Sequence, residues 1–158
     1  MVRTGAIILT LFLSPLCFAE DNTTTDILTK EITDLSAAIR LHPNDPQAYR
    51  DRAEAFHQRG KEWSSLSYGG KLPCDAYKED YRRAIADYTQ AMRLEPGDTI
   101  DYQERATLYL ALSDYKKAIA DCTEALRIQP GNEKAYQIRL IAYRNQRDYD
   151  RAIADCTA

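Results

Sequence analysis

Apolar residues recur along most of this chain at intervals of three and four, the spacing that lines one face of an α-helix. Tyr102, Ala106 and Tyr109 stand at i, i+4 and i+7, and Tyr115, Ala118, Cys122, Ala125 and Leu126 continue the same spacing. The two runs predict a pair of helices joined by "LSD", where Asp114 stands in position to cap the second. That helix should end at "QPGN". Pro130 cannot continue it, Gly131 is expected to turn left-handed, and Asn132 to cap the next helix. "NDP" at 44–46 carries the same signals earlier, with Asp45 as cap and Pro46 at the first helical place.

A longer period overlies the short one. "YRRAIADYTQAMRLEPGD" (81–98), "YKKAIADCTEALRIQPGN" (115–132) and "YDRAIADCTA" (149–158) stand 34 residues apart. Residues 99–132 form one unit, and from Glu133 the next aligns without a gap: Tyr102 with Tyr136, Arg105 with Arg139, Tyr109 with Tyr143. Small residues (Ala106, Ala118, Ala125) fall where two helices must approach, and large Tyr and Leu side chains fill the space around them. One such pair cannot bury its apolar face alone, whereas stacked copies bury a continuous core.

Read backwards, residues 26–45 form the second helix of an earlier unit, with Leu28, Ile32, Leu35 and Ile39 as its apolar stripe. Residues 46–98 form the next, with Tyr49, Arg52, Ala53 and Phe56 on its first helix and Tyr81, Ala84, Tyr88 and Ala91 on its second. At 53 residues this unit carries 19 beyond the period. Its first helix is expected to end at Gly60 and its second to begin near Tyr77, leaving a loop at about 61–74. Trp63, Leu66 and Tyr68 should fold that loop back onto the body, because they are too apolar to remain in water.

Tyr102-x2-Arg105-Ala106-x2-Tyr109, then Ala118-x3-Cys122-x2-Ala125, then Pro130 resembles the tetratricopeptide repeat (TPR). The resemblance covers roughly residues 28–158 and implies an all-α fold, an α-solenoid of helix-turn-helix repeats with a concave groove lined by first helices. It implies about three repeats after a preceding half repeat: 26–45, 46–98, 99–132 and a truncated 133–158. Where the family usually has Leu on the first helix, this chain has Arg52, Arg105 and Arg139. The second helices carry Asp87, Asp121 and Asp155. A half-buried guanidinium needs an acceptor and a carboxylate offers a bidentate one, so these are expected to pair, either within a repeat or across to the next. Leu140, where the other units have Ala53 and Ala106, should push the last two helices apart. The third copy stops after ten residues, so its helix is expected to fray and its open apolar surface to favour self-association.

The first nineteen residues differ from the rest. "MVR" is basic, "AIILTLFL" (6–13) is apolar and too short to span a bilayer, and "CFA" precedes "ED". This is the pattern of a signal peptide at 1–19, cut after Ala19, with a short linker at 20–25. It predicts an exported protein, periplasmic or secreted. Leu16 before Cys17 argues against a lipid-anchored cysteine. Asn22-Thr23-Thr24 matches a glycosylation sequon, relevant only in a eukaryotic secretory pathway.

With Arg3 removed, 20 basic residues face 24 acidic ones, and no basic stripe suits nucleic acid. Cys74, Cys122 and Cys156 make no disulfide framework; Cys122 and Cys156 occupy equivalent places, read as core, and all three are expected to be free thiols. There is no recognisable nucleophile triad and no phosphate loop, so no catalytic or cofactor-binding residue is expected. Glu54-x-x-His57 resembles one Glu-x-x-His element of di-iron helical bundles, but those sites need a second such element, so no metal is expected.

A binding role is the reading that remains: a protein or peptide partner. The TPR resemblance implies a groove lined by Gln47, Arg50, Glu54 and His57, then Ile100, Gln103, Thr107 and Leu110, then Lys134, Gln137, Ile141 and Arg144. Some members of the family clamp the terminal carboxylate of a chaperone tail with a Lys/Asn/Asn/Lys/Arg set. Arg50 and Lys134 stand at two of those places, but Glu54 and Glu104 replace both asparagines and Ile138 the arginine. Two carboxylates would repel the ligand's own, so that ligand class is not expected. Mixed charge with apolar spots at Ile100, Leu110 and Ile141 suits an extended or helical segment of a protein. The alternative is a structural module that assembles through its C-terminal repeat.

Overall fold

A computed structural model of the chain describes residues 23–68 and 76–156. The proposed signal peptide, Asn22 of the sequon and Cys74 lie outside these residues. Seven helices follow one another among the described residues: α1 (Thr23–Leu41), α2 (Pro46–Tyr68), α3 (Ala76–Leu94), α4 (Thr99–Ala111), α5 (Tyr115–Ile128), α6 (Glu133–Asn145) and α7 (Tyr149–Cys156). Each packs against its neighbours in sequence, and α4 also touches α6. The expected all-α solenoid is therefore present: hairpins α2/α3, α4/α5 and α6/α7 stack, with α1 in the place of a preceding second helix. Residues 23–25, assigned to a linker from sequence, already belong to α1.

The core forms two clusters that meet on α4. Leu28, Ile32, Phe56, Tyr81 and Tyr88 pack together, and Leu108 of α4 enters among them. Ala106, on the same helix, joins Cys122, Leu126 and Ile138 in the second cluster. Ala53, Ala84, Ala106, Ala118 and Ala125 have no exposed surface, as close approach of the paired helices requires. Cys122 and Cys156 are free thiols, but only Cys122 is buried. The expectation that Cys156 is core filler fails because α6 covers the Cys122 face of α5, whereas no described helix lies over the equivalent face of α7.

Turn chemistry sets the helix limits. Asp98, Asp114 and Asn132 cap α4, α5 and α6 through their side chains. The α4–α5 turn closes with Ser113 N–H on Leu110 O and Asp114 N–H on Tyr109 O, and the α6–α7 turn repeats this with Arg147 and Asp148. Ser113 and Arg147 sit in the left-handed region at φ 61° and 63°, where glycine is the usual residue. Gly131 does not adopt the left-handed turn expected of it; among the described glycines only Gly97 does, at φ 106°. Gln129 leaves α5 in an extended conformation instead, and Asn132 N–H closes the turn on Gln129 O.

The Arg–Asp pairs form within each unit. Arg52 grips Asp87 at 2.8 and 2.7 Å, Arg105 grips Asp121 at 2.8 and 2.7 Å, and Arg139 grips Asp155 at 2.9 and 2.6 Å. The third nitrogen of each guanidinium reaches back to a hydroxyl on the preceding second helix: Ser36, Thr89 and Thr123. Those hydroxyls donate to the carbonyls of Ile32, Ile85 and Ile119. Each arginine also lies over the ring three residues before it, Tyr49, Tyr102 or Tyr136. Each set thus joins three successive helices. The last pair closes at the same length as the others, so Leu140 does not spread α6 from α7 at that level.

Gly60 does not end α2, and the expected loop at 61–74 is helix as far as Tyr68. The sequence did not show a fourth bracket. Arg59 grips Asp80 at 2.8 and 2.7 Å, donates to Thr29, and lies over Phe56. Each member is displaced seven residues, two helical turns, from Arg52, Asp87, Ser36 or Tyr49. Because α2 and α3 run in opposite directions, moving forward on one and backward on the other preserves the match. This bracket zips the hairpin two turns beyond the standard unit, and α3 begins at Ala76, near the start expected for it. Trp63 and Leu66 are half-buried on the extended α2. Gly60 is required there by space: a Cβ would stand 2.5 Å from the Tyr81 ring.

Two predictions follow from these contacts. In an open helix Ala would be about 1 kcal/mol better than Gly. Against the buried Tyr81 ring, overpacking of about 1–3 kcal/mol should win, so Gly60→Ala should lower the urea midpoint; a raised midpoint would show that the ring yields. Arg105→Met and Asp121→Asn, made singly and together, should couple by roughly 1–3 kcal/mol in chemical denaturation. Additive losses would show that the bracket is geometric only.

Candidate binding groove

Residues of α2, α4 and α6 that do not face the second helices form the candidate groove. Two of its cations, Arg50 and Lys134, are engaged with carboxylates of the chain, while Arg144 is exposed. Arg50 donates to Asp101 from Nε (2.9 and 3.1 Å) and Nη2 (2.9 Å) and to Glu95 from Nη1 (2.7 Å), with Asp98 3.6 Å away. This ties α2 to the turn before α4 and to the first turn of α4 itself. Asp101 is 1% exposed. Burial pushes its carboxyl up from the ordinary value while Arg50 pulls the other way. Hydrogen bonding to Asp101 in turn holds the Arg50 guanidinium protonated. Lys134 of α6 pairs with Glu104 of α4 at 2.5 Å. Both cations at clamp positions therefore have carboxylate partners within the chain.

The other predicted groove residues divide by exposure. Gln47, Gln137, Ile141 and Arg144 are exposed, and Ile100 is 59% exposed. Gln103 is buried, Thr107 donates its hydroxyl to the Gln103 carbonyl, and Leu110 packs against the second core cluster. Leu110 thus serves the core more than the groove surface. On the α1–α2 side lies an open cleft of about 720 Å³, lined by Ile27, Glu31, Asp34, Leu35, Asp51 and Glu54 among others. Ile27 within it is 65% exposed. Four carboxylates, Glu31, Asp34, Asp51 and Glu54, and Lys30 share this cleft with the apolar Ile27, Leu35, Ala38 and Ala55; of these only Glu54 was expected at the groove from the sequence.

His57 is the least accessible of the predicted groove residues, at 4% exposed. Its ring meets Tyr81 edge to face at 5.7 Å. Nδ1 is buried and has no hydrogen-bond partner among the described residues. Burial, then the nearby Lys61 charge, pulls the imidazole below its ordinary pKa, with Glu54 and Glu104 opposing. Glu54 Oε2 lies 3.9 Å from that Nδ1 and 3.4 Å from the Tyr88 hydroxyl. One ligand atom each from Glu54, His57 and Glu104 fall within 4.8 Å of one another. The first two are paired by their spacing on one helix; Glu104, 47 residues beyond His57 on α4, is not.

Comparison with known proteins agrees with this architecture. The tetratricopeptide repeat family model matches residues 76–133. Among solved structures, MamA MSR-1 C2 aligns at a TM-score of 0.64 with 14% identity, covering 84% of this chain and 66% of that one. The MamA RS-1 ArsTM double mutant aligns at 0.58 with 16% identity, covering 84% and 71%. The Arabidopsis OM64 TPR domain is 28% identical over 68% of this chain and 78% of its own, at a TM-score of 0.48. No curated protein sequence matches the chain. The likeness to MamA is one of fold. Residues 76–133 carry tetratricopeptide repeat sequence, and the stacked helical hairpins on either side share that fold.

Removing Arg50 should expose the cost of this arrangement. Arg50→Met leaves the buried Asp101 carboxylate uncompensated and should destabilise the chain by about 3–5 kcal/mol. Lys134→Met removes a pair on the surface and should cost less than about 1 kcal/mol. Urea denaturation of both at neutral pH measures the difference; equal losses would contradict the structural role of Arg50.

Proposed function

We propose that this chain is a non-catalytic interaction module that holds an extended or helical segment of a protein partner along its groove. The observation that carries this reading is the exposure of Ile100 and Ile141, 59% and 36%, on helices whose opposite faces are fully closed. Apolar contacts spaced along adjacent first helices, beside the paired Arg50 and Lys134 and the exposed Arg144, suit an amphipathic segment better than a small ligand. The pairing of Arg50 and Lys134 with Asp101 and Glu104 weighs against capture of a terminal carboxylate. The tetratricopeptide repeat architecture supports a binding role over catalysis.

Export is part of the same proposal and rests on residues 1–19: a basic start, an apolar run and a small-residue cut site. No helix among the described residues is long and apolar enough to cross a membrane. A periplasmic or secreted protein with this groove would act on an exported partner.

Selection of peptides from a displayed library against the chain tests the groove reading. Selected peptides should bind at least about tenfold more weakly to Ile100→Ser/Ile141→Ser, a loss of roughly 1.4 kcal/mol or more, while the melting temperature stays unchanged. Unchanged affinity in that variant would refute the groove as the site. A second reading, assembly through α7, draws on Tyr149 and Ile153, exposed at 57% and 63%. It expects concentration-dependent sedimentation that Tyr149→Ser/Ile153→Ser abolishes.

A further inference from the structure

We propose that Glu54, His57 and Glu104 form a binding site for a divalent transition-metal ion of the zinc type, joining α2 to α4 at the floor of the groove. Three observations carry it independently of any peptide bound there. One donor atom from each of the three side chains already falls within 4.8 Å of the others. The imidazole is 4% exposed, and its Nδ1 is buried without a hydrogen-bond partner among the described residues. Leaving such a nitrogen unsatisfied is costly, and natural structures usually supply it with a partner. The two carboxylates come from different helices, so the convergence does not follow from the helical spacing that brings Glu54 beside His57.

The geometry is close to what an ion needs. Tetrahedral zinc with nitrogen and oxygen ligands at about 2.0–2.2 Å holds its donors roughly 3.4 Å apart. Rotation of the two glutamate side chains, both half-buried rather than locked in the core, closes the difference. Lys134 holds Oε1 of Glu104 and leaves the second carboxylate oxygen for a ligand. A mixed imidazole and carboxylate set selects zinc-like ions over magnesium or calcium, which take oxygen alone. Three protein ligands leave a coordination position for water or for a donor from a partner. The Lys134 ammonium sits beside this cluster and opposes a cation, so its removal should strengthen binding rather than weaken it.

Calorimetric titration of the full chain with Zn²⁺ tests the site, with Co²⁺ absorption distinguishing these ligands from the cysteines. One ion per chain should bind, with a cobalt spectrum free of intense thiolate-to-metal bands. Glu104→Gln and His57→Gln should each weaken binding by about tenfold or more, and Lys134→Met should tighten it. Glu104 is outside the core, so its variant remains informative should His57→Gln fail to fold. Absence of binding, unchanged affinity in Glu104→Gln, or thiolate bands lost in Cys156→Ser would each overturn the proposal.

Discussion

The structure depends on a half-buried arginine held between two helices of one hairpin and a hydroxyl of the preceding one. Packing of small residues brings the helices close, but alanine and tyrosine alone do not fix which turn faces which. A planar guanidinium does, because its two parallel bonds to a carboxylate are satisfied at one register only. Arg52, Arg105 and Arg139 make this contact at lengths that agree within a few tenths of an ångström. Their third donors reach Ser36, Thr89 and Thr123, so hairpin closure and stacking are linked at one residue. Whatever disturbs that arginine is felt by three helices.

The same device explains the irregular unit. A longer hairpin needs added contacts along the whole extension, and Arg59, Asp80, Thr29 and Phe56 repeat the bracket two turns on. Gly60 lies beside it because the Tyr81 ring occupies the volume a side chain would need. A glycine that reads as a stop along the chain is here a concession to packing inside a helix.

The groove follows from the same economy of charge. Once the inward arginines are matched within hairpins, the outward cations Arg50 and Lys134 are matched between them, by Asp101 and Glu104. The surface left for a partner exposes Ile100 and Ile141 beside the polar Gln47, Gln137 and Arg144. The exception is the buried His57, where two carboxylates converge on the imidazole and Nδ1 has no hydrogen-bond partner among the described residues.

Helical period, repeat length, capping residues and the recurrence of Arg and Asp were all legible in the sequence, because each is a local pattern or a fixed interval. They determined the all-α hairpins, their order and the recurrence of the three arginines at 53- and 34-residue offsets, and left open whether each pair closed within a unit or across to the next. Tertiary structure decided what no interval encodes. Arg59 and Asp80 move in opposite senses along antiparallel helices, so their match is visible only once the hairpin is closed. Gly60 and Gly131 carry the same residue type, yet one is constrained by a ring and the other by nothing within 4 Å. Glu104 reaches His57 because stacking sets α4 beside α2, and Cys156 is exposed where Cys122 is covered because burial depends on the neighbouring helix. Local preferences fix helices and their ends; the distances between side chains on different helices arise only from packing, which is a property of all of them together.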